Sequence, residues 1–278
     1  MQNKSPTLTL TIPTFNEEEN IRIPLDSGYD LADEVLIVDG GSTDKTVEIA
    51  RSYGSKVRIL AVDNPSNFLI NKQRAIDNAH GEWILQLDAD ERLSKELKIE
   101  IAQIIKNYEL GITNEKGIDN SSLPIEHSPP TTGFWIARKN WFLGRYLMKG
   151  GVYPDGVFRL YKRKGAHFAL KNVHENVIID GKTEWTKNAI EHMADPTFNR
   201  YIKRWHRYNT FDAKQLVKKG EKLCASCYLI GKPIVTFLKI YIRHKGFMDS
   251  WQGFVWAFFS AIRWIPIYFK TIPRKSNN

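Results

Sequence analysis

The first hundred residues alternate between short apolar runs and stretches with helical spacing, and no other feature constrains the possible fold as strongly. The apolar runs predict four strands, at residues 8–12, 34–38, 56–60 and 83–87. The stretches that follow each strand predict helical segments, at residues 16–24, 43–53, 66–79 and 94–108. Strands that alternate with helices are typical of a doubly wound sheet. We therefore predict an α/β fold with a mostly parallel sheet flanked by helices.

Polar clusters follow three of the predicted strands. "PTFNEEEN" comes after the first strand, "DGGSTD" after the second and "DADE" after the fourth. In an open α/β sheet, ligands bind in the crevice at the carboxyl ends of the strands. We therefore expect the three clusters to contribute to one site.

The "DADE" cluster places three carboxylates, Asp88, Asp90 and Glu91, in four consecutive positions. Alternate residues of an extended chain point to the same side, so Asp88 and Asp90 could share a cation. Their hard oxygen ligands suit Mg²⁺ or Mn²⁺. The alternative is a solvated acidic turn. Glu91 fits that alternative better, because it falls near the start of a predicted helix, where negative charge is favoured.

The "VDGGSTDKT" cluster begins with Asp39 at the end of a strand, followed by Gly40 and Gly41, which allow close backbone approach. Three roles are compatible with it: a phosphate-binding turn, an aspartate that accepts hydrogen bonds from a base or ribose, and an ordinary strand-to-helix connection. Neither a Walker lysine pattern nor G-x-G-x-x-G is present.

The "NKQRA" segment places Lys72 and Arg74 within one turn of the helix that leads into the "DADE" strand. These side chains could donate hydrogen bonds to a diphosphate. On a helix surface, however, long cationic side chains are more often solvated.

The second half of the chain has a different pattern. Residues 111–132 are polar and rich in Ser, Pro and Asn, which predicts a long surface loop. Short strands are then predicted at residues 134–138, 156–161 and 177–180, and the pattern turns helical, basic and aromatic from residue 198 onward.

The positive charge is concentrated at the carboxyl-terminal end. Residues 1–198 carry 24 Lys and Arg against 28 Asp and Glu, a net of −4, whereas residues 199–278 carry 16 against 3, a net of +13. Cations mixed with aromatic side chains are typical of helices at an anionic membrane surface. The alternative is a helical cap whose aromatics are core. No nucleic-acid-binding module is recognisable.

Two further classes are excluded by the sequence. The charge-free stretch at residues 253–262 is far shorter than the ~20 residues needed to span a bilayer. Cys224 and Cys227 form a C-x-x-C without a second pair at zinc-site spacing, so neither a zinc site nor a disulfide framework is predicted. Few cysteines and no visible signal segment fit a cytoplasmic protein.

Several motifs together resemble a known family. "IPTFNEEENI", "VDGGSTDKT", "KQRAI" and "GEWILQLDADERL" look like the nucleotide-binding half of family 2 glycosyltransferases, which have the Rossmann-like GT-A fold. "GRYLMKGGVYPDGVFRLYKR", "VHENV" and "FLKIYIRHKGFMDSWQGFVWAFFSA" resemble the lipopolysaccharide-core β-glucosyltransferase subgroup. The resemblance covers about residues 6–270.

The resemblance implies roles for the strand-end residues. The nucleotide would be bound by the following side chains and backbone positions: Pro13, Thr14, Asn16, Glu17 and Asp39 at uracil and ribose, Lys72 and Arg74 near the diphosphate, and Gly41 in the turn after Asp39. Asp88 would approach the ribose or a divalent cation, Mg²⁺ or Mn²⁺, and Asp90 would be the main metal ligand of this DXD motif.

The resemblance also implies an inverting reaction, in which a carboxylate deprotonates the acceptor hydroxyl. Glu175 and Asp155 are the candidates for this base, with Glu175 favoured because Asp155 lies in a Pro-Asp-Gly context that ordinarily forms a turn. His174 could join the metal ligands or contact the diphosphate. Arg159 could bind phosphate or pair with a nearby acid.

We therefore expect a GT-A domain at residues 1–197, with a nucleotide-binding half at 1–110 and an acceptor half at 111–197, and a helical extension at 198–278. The expected activity is hexose transfer, of glucose in the first instance, from a UDP-sugar to a sugar of a lipid-linked surface glycan at the inner face of the cell membrane. A polyprenyl-phosphate sugar synthase and a non-catalytic sugar-nucleotide-binding module are the alternatives.

Overall fold

The structure is a computed structural model, and it describes residues 7–110, 131–170, 175–220 and 223–272. The surface loop predicted at residues 111–132 lies outside the described residues, apart from its last two positions, which begin a strand. His174, the predicted additional metal ligand, also lies outside them.

Nine strands and eight α-helices make up the described fold. The strands are β1 Leu8–Thr14, β2 Glu34–Asp39, β3 Val57–Ala61, β4 Trp83–Gln86, β5 Glu91–Leu93, β6 Thr131–Phe142, β7 Arg145–Leu147, β8 Asp155–Lys162 and β9 Lys182–Asp195. The helices are α1 Arg22–Gly28, α2 Thr46–Arg51, α3 Leu69–Asn78, α4 Lys95–Glu109, α5 Phe198–Lys219, α6 Lys232–Phe237, α7 Ser250–Ile262 and α8 Trp264–Thr271. Two π-helical segments, Cys227–Gly231 and Leu238–Arg243, flank α6, and a 3₁₀ turn, Gly246–Asp249, precedes α7.

The chain forms two compact units. The first consists of Met1–Arg138 and Gly156–His192, and the second of Lys139–Asp155 and Met193–Asn278. The second unit therefore combines the carboxyl-terminal helices with the end of β6, strand β7 and the segment that leads into β8.

The first unit is built on a mixed sheet in the order β3-β2-β1-β4-β8-β6-β9-β5. Strand β1 is parallel to both β2 and β4, and β3 is parallel to β2. All six residues of β2 and nearly all of β1 are buried, as expected where helices cover both faces of a parallel sheet. The four predicted strands and the predicted α/β fold are confirmed.

The later strands add antiparallel pairs to this sheet. Strand β8 pairs with β4, and the three-residue β5 pairs with β9. Strands β5, β7 and β9 were not predicted. The strand predicted at residues 177–180 was wrong, since only an isolated bridge between His167 and Ile178 forms there.

The second unit is mainly helical. One of its apolar clusters is centred on Phe142, Leu147 and Tyr201, and another on Tyr228 and Ile267. Within the described residues, every helix is too short or too polar to cross a membrane.

Candidate functional site

The loops that follow β1 and β2 are joined by hydrogen bonds. The backbone nitrogen of Asn16 donates to Ser42 Oγ over 2.9 Å, and Asn16 Oδ1 accepts from the nitrogen of Thr43 over 2.8 Å. The nitrogen of Glu17 donates to Thr46 Oγ1 over 2.7 Å. Asn16 has a φ of 53°, a left-handed conformation that asparagine tolerates better than most residues. The first two predicted clusters therefore meet.

Asp39 is the centre of this junction, and only 3% of it is exposed. Its Oδ2 accepts from the backbone nitrogens of Gly41 and Ser42, at 3.1 and 2.9 Å. Its Oδ1 accepts from Ser42 Oγ at 2.5 Å and from Thr14 Oγ1 at 3.3 Å. A carboxylate has about four acceptor positions, so these four bonds use its capacity. In this state Asp39 organises the turn, and any further hydrogen-bond donor would have to displace one of the hydroxyls.

A cluster of five charged side chains lies at the end of β4. Lys72 Nζ lies 2.7 Å from Asp88 Oδ1, and Arg159 Nη2 bonds both Asp88 Oδ2 and, at 2.8 Å, Glu91 Oε1. Arg138 Nη1 contacts the same Glu91 oxygen at 3.0 Å. The Asp88 nitrogen donates to Glu91 Oε2 at 3.0 Å. The cluster therefore joins α3, β5, β6, β8 and the end of β4.

Because these side chains are largely buried, their ionisation depends strongly on the charged groups with which they pair. Glu91 is fully buried, the side chains of Lys72 and Arg159 are 8% exposed, and that of Asp88 is 31% exposed. Burial raises the pKa of the Asp88 carboxyl, but the charges of Arg159 and Lys72 outweigh burial and hold that pKa well below its usual range. Burial lowers the pKa of Arg159, but Asp88 and Glu91 raise it above its usual value. Asp88 and Arg159 are therefore both ionised near neutral pH.

Lys72 is held differently. Burial and the charge of Arg159 lower the pKa of the Lys72 ammonium, and the attraction of Asp88 opposes them. The Lys72 ammonium also lies 5.4 Å from the centre of the Phe68 ring. This lysine points inward from the first turn of α3 and is not a solvated surface charge.

A cavity of about 200 Å³ opens beside the cluster. Its polar lining is Lys72, Gln86, Asp88, Arg138, Arg159, Glu175 and Asn176. The remaining lining is apolar and includes Phe68, Phe158 and Phe168. Pockets for whole small ligands usually measure ~300–1,000 Å³, so this cavity matches a fragment of a ligand.

Asp90 faces a different partner. Its Oδ2 lies 3.4 Å from Nε2 of His192, whose strand β9 pairs with β5. Among the described residues, no group of three or more His, Cys, Asp or Glu is arranged to hold a metal ion. Both Asp88 oxygens are bonded to cationic side chains, so a metal ion at Asp88 would have to displace Lys72 or Arg159. Aspartate and histidine, the residue types of Asp90 and His192, both ligate divalent cations in proteins.

The structure answers two questions that the sequence left open. Arg159 pairs with acids, Asp88 and Glu91. The interpretation of Glu91 as a residue of a helix start was wrong: it begins β5, and α4 starts at Lys95, capped by Ser94. Glu91 is instead the buried counter-ion of two arginines.

Two predicted residues are not part of this cluster. Arg74 pairs with Asp63 at 2.6 Å and does not line the cavity. Asp155 belongs to the second unit, where it accepts a hydrogen bond from Asn140 Nδ2 at 3.2 Å. Glu175, the favoured base, lines the cavity together with Lys72.

Three residues at the site were missed: Arg138, His192 and Glu91 in its role as counter-ion. Arg138 ends a predicted strand, and a charge there could have been noticed. The signal for His192 was absent because β9 itself was not predicted.

The α/β architecture described above is the GT-A fold. A solved structure, "Mannosyltransferase PcManGT from Pyrobaculum calidifontis in complex with GDP-Man and Mn2+", matches 97% of this chain and 88% of its own, with a TM-score of 0.52. Its sequence is 13% identical, so the likeness shows the fold alone.

The family follows from the sequence match. The model of Glycosyl transferase family 2 matches residues 9–167, more than half of the chain, and the chain belongs to this family. An uncharacterized glycosyltransferase of Rickettsia felis is 30% identical over 255 residues, covering 88% of this chain and 82% of the relative. The lipopolysaccharide core biosynthesis glycosyltransferase LpsC of Rhizobium meliloti is 26% identical over 269 residues, covering 92% and 91%. The predicted GT-A fold and family resemblance are confirmed.

Proposed function

We propose that this family 2 glycosyltransferase is an inverting enzyme that transfers a hexose, glucose in the first instance, from a UDP-sugar to a sugar of a lipid-linked surface glycan such as lipopolysaccharide core. The observation that carries the proposal is the charged cavity at the end of β4, where Lys72, Asp88, Arg159 and Glu175 meet. The glycan acceptor is supported by the similarity to LpsC along 92% of the chain.

The donor would bind along the strand ends. The joined loops that contain Pro13, Thr14, Asn16, Glu17 and Gly41 would contact uracil and ribose, with Asp39 holding their shape. Lys72 would donate to the diphosphate from the cavity wall. Arg74 would reach the diphosphate only after leaving Asp63, its partner in this structure.

A divalent cation fits the charges of the site. Lys72, Arg138 and Arg159 are balanced by Asp88, Glu91 and Glu175, so a doubly charged diphosphate needs an added countercharge. We propose Mg²⁺ or Mn²⁺ held mainly by Asp90, with Asp88 and His174 as the other predicted ligands. When bound, the ion would stabilise negative charge on the departing diphosphate.

Glu175 is the proposed general base. It would take the proton of the acceptor hydroxyl while that oxygen bonds to the anomeric carbon and the bond from this carbon to the diphosphate oxygen breaks. The configuration at the anomeric carbon inverts, because attack occurs opposite the leaving group. Asp155 is the second candidate, and an Asp155→Asn variant compared with Glu175→Gln would identify the base.

The proposed place of reaction is the cytoplasmic face of the cell membrane, where the protein would be peripheral. A lipid-linked acceptor presents its sugars at a membrane surface, and the carboxyl-terminal residues 199–278 carry a net charge of +13, which suits anionic lipid.

The test is a panel of UDP-, GDP- and CMP-sugars assayed for nucleotide release with Mn²⁺ or Mg²⁺, because the PcManGT complex holds GDP-Man and Mn²⁺. We expect UDP release from UDP-glucose that increases with a truncated lipid-linked oligosaccharide. Stimulation by polyprenyl phosphate instead would establish the synthase alternative. Absence of release from every donor would establish a non-catalytic module.

A further inference from the structure

The second unit exposes an unusual number of large apolar side chains in one segment, residues 227–262, which we call the apolar hairpin. Among the described residues it holds ten of them: Ile230, Ile234, Val235, Leu238, Ile242, Phe247, Met248, Trp251, Phe254 and Phe258. The segment turns back on itself, since the rings of Phe237 and Tyr241 contact that of Phe254 at 5.9 and 5.8 Å. Large apolar side chains concentrated on the exposed surface of one segment indicate an interaction site.

Helix α7 presents Trp251, Phe254 and Phe258 outward, whereas Trp256 and Phe259 pack against the cluster centred on Phe142 and Tyr201. Its buried positions include Gly253, Ala257 and Ala261, whereas Trp251 and Phe258 are 56% and 41% exposed. A helix that faces water on its outer side shows the opposite arrangement, with polar residues outside. The outer face of α7 is therefore suited to an apolar environment.

The preceding helical stretch contributes a second apolar face. Ile230, Ile234 and Leu238 recur every four residues, a spacing that places side chains on one side of a helix, and each is more than half exposed. The stretch and α7 thus present apolar side chains from both arms of the hairpin.

The charges of the hairpin indicate what covers this surface. Lys239, Arg243 and Lys245 are exposed. Asp249, the one acid in residues 227–262, is 2% exposed and accepts from the backbone nitrogens of Met148 and Lys149 at 3.2 and 2.7 Å. The exposed side chains of the hairpin thus include apolar groups and cations but no carboxylate. A second copy would bring like charges together, whereas an anionic lipid surface complements both features.

We propose that the apolar hairpin inserts its exposed side chains into the interfacial region of an anionic bilayer and holds the protein there without spanning it. The inference rests on the proposed function for its biological purpose, a lipid-linked acceptor. The apolar hairpin is the part of the molecule that would contact the membrane.

The test is flotation of the full-length protein with vesicles of phosphatidylcholine, with and without phosphatidylglycerol. We expect the wild type to float with the anionic vesicles and a Trp251→Ser/Phe258→Ser variant to lose at least ~10-fold in vesicle affinity. The matched control is Ile99→Ser on α4, since Ile99 is 72% exposed but lies outside the hairpin. Equal flotation of all three proteins overturns the proposal.

A second variant keeps the test decisive if the first one misfolds by circular dichroism. Lys239→Ala/Arg243→Ala should weaken binding to anionic vesicles by about 30-fold, because each of the two cations contributes a similar share of the binding free energy at an anionic surface. Unchanged affinity in this variant would overturn the role assigned to the charges and hence the anionic bilayer.

Two further measurements separate the possible failures. Light scattering without vesicles would test whether the wild type forms a dimer and whether the serine variant is monomeric. If it does, and flotation of the serine variant is unaltered, self-association replaces the proposal. UDP release without vesicles should be equal in the wild type and the hairpin variants. Absence of UDP release by the wild type would refute the proposed activity, and the result with vesicles would still stand.

Discussion

At the scale of single residues, the three carboxylates of "DADE" have three different environments. Glu91 is fully buried between Arg138 and Arg159. Asp88 bridges Lys72 and Arg159 with its two oxygens. Asp90 Oδ2 lies 3.4 Å from Nε2 of His192, and Asp90 is the main metal ligand that we propose. Substitutions of these neighbours should therefore have distinct consequences.

Asp90→Ala should abolish transfer while the fold is preserved, because the proposed main metal ligand is lost. Sugar transfer from a radiolabelled donor and circular dichroism would measure the two effects. Asp77→Ala, on the exposed side of α3, is the control and should remain active. Transfer at the wild-type rate by Asp90→Ala would contradict the metal role.

Glu91→Ala should destabilise the protein by about 3–5 kcal/mol, because it removes the fully buried carboxylate that Arg138 and Arg159 share. Urea unfolding would measure the change in the free energy of unfolding. The comparison is Glu184→Ala, which removes the one-third-exposed partner of Lys182 and Thr131 and should cost about 0–1 kcal/mol. Similar losses in the two variants would show that burial does not govern the strength of the Glu91 pairs.

The stability difference between the wild type and Asp88→Asn should depend on pH. Because the folded-state pKa of Asp88 is depressed, its ionised form contributes stability above the unfolded value of about 3.9, and this contribution is lost as pH falls toward the folded value. Urea unfolding at pH 7, 5 and 3 should show a difference that is constant between pH 7 and 5 and smaller at pH 3. A stability difference that grows toward acid pH would contradict a depressed folded-state pKa for Asp88.

At the scale of elements, the sequence predicts what local pattern determines. The buried runs of β1, β2 and β4 were correctly placed, and Ser94 caps α4 by accepting from the nitrogen of Leu97. Helix α3 begins at Leu69, later than the predicted residue 66, and Asn67 Oδ1 accepts from the nitrogen of Leu69.

Elements that depend on distant partners were not predictable in this way. Strand β9 begins with exposed, charged positions, so its alternation lacks an apolar signal. The environment of Glu91 comes from Arg159, 68 residues away, and from Arg138 on another strand. The carboxylates that follow β4 could therefore be identified from the sequence, but the side chains with which they pair could not.

Within the apolar hairpin, two glycines should respond oppositely to substitution by alanine. A Cβ on Gly253 would lie 1.9 Å from the carbonyl oxygen of Gly246, so Gly253→Ala should cost about 1–3 kcal/mol. The nearest atom to a Cβ on Gly231 is 3.9 Å away and its backbone is helical, so Gly231→Ala should be neutral or stabilising by up to about 1 kcal/mol. Thermal unfolding would compare them, and equal midpoints would contradict the close approach of α7 to the preceding turn.

At the scale of the whole molecule, charge and apolar surface are divided between the two units. The charged cavity belongs to the first unit and the apolar hairpin to the second. The net charge of −4 over residues 1–198 against +13 beyond them follows nearly the same division.

Salt should therefore affect the two activities differently. Raising ionic strength shortens the range of surface electrostatics, so vesicle flotation should fall steeply, whereas UDP release without vesicles depends on buried charges and should change little. Flotation and UDP release measured on one salt series would test this. A parallel decline of both would contradict the division of roles.

The pairing of Glu91 with Arg138 and Arg159 has a consequence for the order in which the chain is synthesised. When residues 1–110 have left the ribosome, the acids Asp88 and Glu91 have emerged with Lys72 as their one cation of the cluster. The two arginines arrive later, on β6 and β8. The nascent amino-terminal half must therefore keep these acids hydrated, and the cluster can close only after residue 159 has been added.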